Sequence, residues 1–263
     1  MRKIKWLIPL LLLALLPFAL SQRLEVSEYE IHTSKLSGEY TFAVASDLHN
    51  SFYGEKQEQL ISAILHSGAD ALLLPGDMAD SYAELTGLRT LIEGLNGALP
   101  IFYTTGNHEC ASMEHEEIKA ELRRLGVTVL EGTSAMLGEI RIAGTDDPLC
   151  LYRQEWLDQV DSLRAADDTF TLLLSHRPDR IEYCDTGFDL VVSGHAHGGQ
   201  VRIPYLLPGL YAPNQGWFPE YTSGLYSVGE AQLFVTRGLC KNAVPRLFNR
   251  PELAILRVTG EPV

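Results

Sequence analysis

Between residues 40 and 110 one unit recurs three times: a short apolar run, a polar residue just beyond its end, and an amphipathic stretch leading to the next run. The apolar runs are residues 40–45, 71–74 and 101–104, and Asp47, Asp77 and Asn107 follow them at intervals of thirty residues. That spacing suits a strand, a helix and a return, and so calls for βαβ units with parallel strands. Between the runs, Leu60, Ile61, Ile64 and Leu65 share one helical face, as do Tyr82, Leu85, Leu88 and Leu95, and then Ile118, Leu122 and Leu125. Strand-like segments follow at 127–130 and 139–143, a helix through Trp156, Val160 and Leu163, and strands at 170–174, 190–193, 233–236 and 253–258. The hairpin-like later strands imply a mixed or a second sheet, so the expected class is α/β with mixed sheets around one sizeable core. No internal linker, sequence repeat or low-complexity segment divides it.

Parallel strands of an open α/β sheet bring their carboxyl ends to one edge, where ligands bind. The polar residues of this chain gather at those ends: Asp47 and His49, Asp77, Asn107 and His108, His176 after 170–174, and His195 and His197 after 190–193. Gly194, Gly198 and Gly199 allow tight turns beside the last pair. Setting His108 aside, seven oxygen and nitrogen donors come from five strand ends. Imidazole and carboxylate without thiolate suit Mn, Fe, Zn or Ni. Seven donors exceed one tetrahedral centre, so the set implies two divalent metal ions with Asp77 as the natural bridge.

In order along the chain, D-L-H (47–49), G-D-M-A-D (76–80), G-N-H-E (106–109), S-H (175–176) and G-H-A-H (194–197) closely resemble the five motifs of the calcineurin-like metallophosphoesterases, over roughly residues 40–258. The extension G-H-A-H-G-G-Q, with G-L-Y (224–226), R-G-L (237–239), P-E-L (251–253) and an apolar N-terminal segment, looks like the bacterial membrane-associated phosphodiesterase subgroup. The resemblance implies a four-layer α-β-β-α sandwich and a dinuclear centre, with Mn the favoured metal. It also implies hydrolysis of phosphoesters, phosphodiesters in particular, by in-line attack of a metal-bridging hydroxide. Carried over residue by residue, it puts Asp47, His49 and His197 on one metal, Asn107, His176 and His195 on the other, and Asp77 on both. His108 then assists the leaving group and Asp80 orients that histidine, although Asp80 also reads as a helix N-cap before Tyr82. Protein phosphatases of the family carry Arg directly after the second Asp of motif two; Ser81 stands there, which disfavours a phosphoprotein substrate. The same fold accommodates a UDP-2,3-diacylglucosamine pyrophosphatase-like hydrolase of a lipid-linked diphosphate. A non-catalytic metal-binding scaffold is the rival from another class, and it would be marked by lost ligands, of which there are none.

Arg2, Lys3 and Lys5 precede an uncharged run from Trp6 to Leu20, the layout of a targeting segment. As a helix the run is about 22 Å long, shorter than a ~30 Å hydrocarbon core. Residues 1–21 therefore read as a signal peptide or an N-terminal membrane anchor, 22–39 as a polar leader and 40–263 as the phosphoesterase domain. By the positive-inside rule the domain faces outward from the cell membrane, or is secreted after cleavage. A net charge of −13 argues against nucleic-acid partners, leaving a phosphoester or lipid-like substrate and the membrane surface.

Cys110, Cys150, Cys184 and Cys240 have no CxxC spacing, so zinc knuckles are not indicated; buried thiols and disulfides both remain open. His32, His66 and His115 have no place among the ligands. From Tyr205 to Tyr221 an irregular aromatic stretch reads either as a surface for lipid or an apolar leaving group, or as packing over a sheet. Arg237, Lys241, Arg246 and Arg250 are candidates to hold a second phosphate, with ordinary salt bridges as the alternative.

Overall fold

A computed structural model describes residues 16–241 and 246–260. Arg2, Lys3, Lys5 and most of the apolar run lie outside the described residues, and among those described no helix is long and apolar enough to cross a membrane. The chain starts with β1 (Glu25–Thr33) and β2 (Glu39–Val44); α1 (Glu58–His66) leads to β3 (Ala71–Pro75), and α2 (Thr86–Leu95) to β4 (Ile101–Thr104). Two further helices, α3 (Asn107–Ala111) and α4 (His115–Arg124), precede β5 (Thr128–Val129), and β2 to β5 run parallel. A hairpin of β6 (Thr133–Leu137) and β7 (Ile140–Gly144) starts a second sheet, which α5 (Arg153–Leu163), β8 (Thr171–Leu174) and β9 (Leu190–Ser193) extend in parallel. After a ribbon of β10 (Tyr211–Ala212) and β11 (Gly216–Trp217), the hairpin β12 (Gly224–Val228) and β13 (Ala231–Val235) completes it, and β14 (Glu252–Gly260) returns to the first sheet. The orders are β1-β14-β2-β3-β4-β5 and β12-β13-β9-β8-β7-β6, six strands each, and both sheets are mixed.

Side-chain alternation along these strands produces four layers. Phe42, Val44, Leu73 and Phe102 of the first sheet meet Ile142, Leu172, Leu174 and Val192 of the second in one inter-sheet core. Their neighbours Ala43, Leu72, Leu74 and Tyr103 face the other way, under Leu60 and Ile64 of α1, Leu88 and Leu91 of α2, and Ile118 and Leu122 of α4. On the far side Ala143, Leu173, Val191 and Leu233 pack beneath Trp156, Val160 and Leu163 of α5. Both faces of β3 are covered, which is why it reads as the unbroken run Ala-Leu-Leu-Leu-Pro. Each fully buried Leu contributes about 1.5–3 kcal/mol. The α-β-β-α sandwich expected from the motifs is the observed fold.

Two local expectations change. The stretch 22–39, read as a polar leader, contains β1, which pairs in parallel with β14 from Glu25 opposite Glu252 to Thr33 opposite Gly260. Only alternate residues of this edge strand turn inward, so its polar face hid it. The helix expected from Tyr82 is split into a 3-10 turn, Tyr82–Glu84, and α2 starting at Thr86. Of the two states left open for the cysteines, Cys110 and Cys150 take the disulfide, which ties α3 to the loop after β7.

Candidate metal centre

The carboxyl ends of β2, β3 and β4 from one sheet and of β8 and β9 from the other meet at a single edge, and each chain turns sharply there. Asp47, His49, Asp77, His195 and His197 all have left-handed backbone, with φ of 52°, 44°, 51°, 66° and 47°. Such backbone costs a non-glycine residue about 1–3 kcal/mol and clusters where function demands it, although Asp and His bear it better than most. The loops are held in it by one another: Asp47 N–H donates to the Gly76 carbonyl at 3.1 Å, His49 N–H to that of Asp77 at 3.3 Å, and Gly194 N–H to that of His176 at 3.0 Å. Gly76 admits no side chain, since a Cβ there would lie 2.6 Å from the Gly106 nitrogen and 2.7 Å from His176 Nδ1.

This folding brings the seven expected ligands to the same edge. Asp77 Oδ2 lies 3.1 Å from His176 Nε2 and 3.9 Å from His49 Nε2, and His197 Nε2 lies 3.7 Å from Asp47 Oδ1. Two groups of donors with mutual distances within 4.8 Å share Asp77: one with His176 and His195, the other with His49 and His108. Asp80 reaches both His49 Nδ1 at 2.5 Å and His108 Nδ1 at 2.7 Å through one oxygen, so its side chain orients two histidines. Among described residues it caps no helix: the N-cap position of the turn Tyr82–Glu84 is Ser81, which makes no side-chain cap bond.

Hydrogen bonds outside the cluster fix which nitrogen of each ring faces inward. A carboxylate or carbonyl oxygen can only accept, so His49 donates Nδ1–H to Asp80, His176 donates Nδ1–H to the Pro75 carbonyl at 2.7 Å, and His195 donates Nε2–H to Asn214 Oδ1 at 2.7 Å. The opposite nitrogens keep their lone pairs for the centre. Asp77 Oδ2, Asn107 Oδ1 and His176 Nε2 are buried and make no hydrogen bond. A proton on His176 Nε2 can serve Asp77 Oδ2 at 3.1 Å but leaves Asn107 Oδ1 without a donor, whereas a cation in place of that proton can serve such acceptors together.

Electrostatics agree with that donor set. Burial and the charge of His176 push His195 down to about 4, and burial takes His197 to about 4 against the pull of Asp47, so both rings are neutral at neutral pH, the form in which imidazole can bind a cation. Burial also acts downward on His49 and His176, but hydrogen bonding to Asp80 and the charge of Asp77 raise His49 to about 9, and Asp77 raises His176 to about 10. Burial would raise Asp77, yet His176 outweighs it and holds the carboxyl well below the usual range. A cation bound there would take the place of those imidazole protons. His108 differs from the rest: its side chain is 46% exposed, and its pKa is raised by the hydrogen bond to Asp80.

Two supporting residues were not evident from sequence. Glu109, within the G-N-H-E motif, accepts the backbone N–H groups of Gly106, Asp77, Met78 and Ala79 at 2.7–3.2 Å and so shapes the loop that carries Asp77. Burial, joined by the charge of Asp77, pushes its carboxyl up to about 7 while the amides oppose the shift. Asn214, at the tip of the β10–β11 ribbon, had no motif to mark it. The basic residues proposed for a second phosphate are committed internally instead. Arg237 pairs with Glu252 and Glu25, Arg250 donates to the carbonyls of Arg23 and Leu24, Arg246 donates to those of Arg237, Gly238 and Cys240, and Lys241 donates to Phe52. His32 on β1 bonds Thr259 of the adjacent β14, His66 at the end of α1 bonds Ser62, and His115 at the start of α4 pairs with Glu116.

Comparison with known proteins gives the same answer as the geometry. The family model of the calcineurin-like phosphoesterases matches residues 40–199. The chain is 30% identical to the metallophosphoesterase YkuE of Bacillus subtilis over 80% of its own length and 76% of that protein's. It is 29% identical to the phosphodiesterase YaeI of Escherichia coli, over 72% and 70%. Relatives from Helicobacter pylori are longer, and the chain spans 64% of their length. Among solved structures, the purple acid phosphatase PPD1 of yellow lupin shares the fold, with a TM-score of 0.50 at 12% identity, over 78% of this chain and 45% of that one.

Proposed function

This chain belongs to the calcineurin-like phosphoesterase family and is a phosphoric ester hydrolase, and from that premise we propose that it is a dinuclear phosphodiesterase working on apolar or lipid-like diesters at the outer face of a membrane. The observation that carries the dinuclear reading is the position of Asp77, whose carboxylate belongs to both donor groups. In this reading Asp47, His49 and His197 hold one cation, Asn107, His176 and His195 hold the other, and Asp77 joins them. Two divalent cations bound there supply Lewis-acid polarisation of the phosphoryl oxygens and lower the pKa of a water. The chain's own residues do the rest. Asp80 accepts Nδ1–H of His108 and favours the protonated form of that imidazole, whose other nitrogen is then placed to give a proton to the departing oxygen. Asp80 also holds His49 in register.

Support for a diester comes from charge. Ser81 stands where a phosphate-gripping Arg would be, Arg177 is taken up by a bidentate pair with Asp147 at 2.7 and 2.9 Å, and the four later cations are occupied as described. A diester carries one negative charge where a monoester carries two, so it loses less in such a site. The same internal pairing gives no support to the lipid-linked diphosphate alternative. Support for an apolar group comes from the segment 205–221: Ala212 and Tyr221 pack on the second sheet, while Tyr205, Leu206, Trp217 and Phe218 face solvent. Trp217 stacks edge-on against Tyr211 in the ribbon whose tip bonds His195. At the other end of this surface, Phe248 N–H donates to the Ala19 carbonyl, where the apolar N-terminal run ends beside exposed Leu16 and Phe18. An outward-facing placement is supported by the basic residues before that run and by the disulfide, which suits an oxidising compartment.

The test compares kcat/KM of the metal-loaded domain on bis(nitrophenyl) phosphate and on a phosphoserine peptide, with the diester expected to be the better substrate. A better phosphopeptide overturns the diesterase reading. Trp217→Ala should weaken only lipid-like diesters; lowered thermal stability with unchanged selectivity would make the aromatic surface mere packing.

A further inference from the structure

The R-G-L segment continues into Cys240, a residue that none of the ligand motifs includes. Its backbone is fastened on every side. Gly238 takes φ of 69° and passes so close to Asp47 that a Cβ would lie 2.8 Å from the carboxylate. Leu239 N–H donates to the Ser46 carbonyl at 2.9 Å, and the Leu239 carbonyl accepts from the Tyr53 hydroxyl. Arg246 Nη1 donates to the carbonyls of Gly238 and Cys240, each at 3.1 Å, and Lys241 N–H donates to Ser51 Oγ at 3.1 Å. Held this way, Cys240 offers its sulfur within 4.8 Å of ligand nitrogens of both His49 and His197. On the inner side of His49, the fully buried Asp77 Oδ2, which makes no hydrogen bond, lies 3.9 Å away.

We propose that Cys240 is a further ligand to the cation held by Asp47, His49 and His197. The thiol proton goes to solvent and a sulfur lone pair forms the bond, with no change of oxidation state. The proposal rests on the dinuclear reading above and deepens it, because a thiolate makes the two positions chemically unequal. Carboxylate and imidazole alone accept Mn readily, whereas sulfur favours Zn or Fe(II). The subsite with Cys240 is therefore selective for a softer ion than its neighbour, in place of the Mn implied for both by resemblance. Cys184 offers no competing sulfur, since it is buried in the layer beneath α5 and burial pushes its pKa up to about 12.

The experiment loads the whole domain with Co(II) and records its near-ultraviolet and visible spectra. Wild type should bind two equivalents and show an intense sulfur-to-cobalt charge-transfer band. Cys240→Ser should bind cobalt without that band, and Cys184→Ala should keep it. Competition should show Zn(II) affinity at one of two sites falling about 10- to 100-fold in Cys240→Ser, with Mn(II) affinity unchanged. Two bound cobalt ions without a thiolate band in wild type, or a band that survives Cys240→Ser, overturns the role of Cys240 and leaves the dinuclear reading standing. Failure to bind two ions at all overturns both.

Discussion

Asn214 is the most informative residue to perturb, because it supports only one half of the centre. Its Oδ1 accepts from His195 Nε2 at 2.7 Å and from Arg177 Nη1 at 3.3 Å, and Arg177 is fixed in turn by Asp147. Asn214→Ala removes the acceptor that keeps the proton on Nε2 and the Nδ1 lone pair free. A buried imidazole N–H left without an acceptor costs about 1–3 kcal/mol. Asn214 is itself exposed, so water replaces part of the loss and about 1–2 kcal/mol remains. At 1.4 kcal/mol per factor of ten this weakens one metal about 5- to 30-fold. The assay is stepwise competition with a chelator, resolving the two equivalents. The equivalent on Asn107, His176 and His195 should weaken while the one on Asp47, His49 and His197 does not. Asn214→Asp keeps an acceptor and tolerates the φ of 62° at this position, so it should bind at least as tightly as wild type. Two equivalents of wild-type affinity in the Ala variant, or an equal loss from both, would refute the reasoning.

His108→Ala should lower turnover while sparing metal content, with a smaller loss for nitrophenyl than for alkyl leaving groups, since an acidic leaving group needs little protonation; equal losses would contradict the general-acid role. Glu252 is buried, and although burial alone would raise its carboxyl, Arg237 outweighs that and lowers it below the ordinary 4.5. A depressed folded-state pKa contributes stability above the unfolded value and loses it as pH falls through the folded one. Urea unfolding should therefore show Glu252→Gln losing less stability than wild type as pH falls through and below the ordinary 4.5; parallel losses would exclude this linkage. Alkaline phosphatase fused after Val263 should be active in cells, and an inactive fusion beside an active cytoplasmic reporter would reverse the outward placement.

Much of the architecture was legible because parallel strands covered on both faces need unbroken apolar runs, and β3 and β8 have them. The donors were legible for a related reason: Asp77 and His176 stand next to such runs, where polar residues have no structural purpose in a core. What the sequence concealed is non-local. β1 pairs with β14 across more than two hundred residues, and its exposed Glu28, Glu30 and His32 resemble a solvated leader. Asn214 comes from a ribbon with no apolar periodicity, and the amides around Glu109 are brought together only by the fold. The basic cluster from Arg237 to Arg250 misled for the opposite reason, since formal charge says nothing of the buried carbonyls and carboxylates that absorb it.

The central claim is that one carboxylate joins two metals, and metal analysis of Asp77→Ala alongside wild type tests it most directly. Wild-type protein should hold two equivalents after dialysis, and the variant should lose both together with nearly all diesterase activity, because its carboxylate stands between His49 of one half and His176 of the other. Two tightly held equivalents and near-normal turnover in the variant would contradict the account.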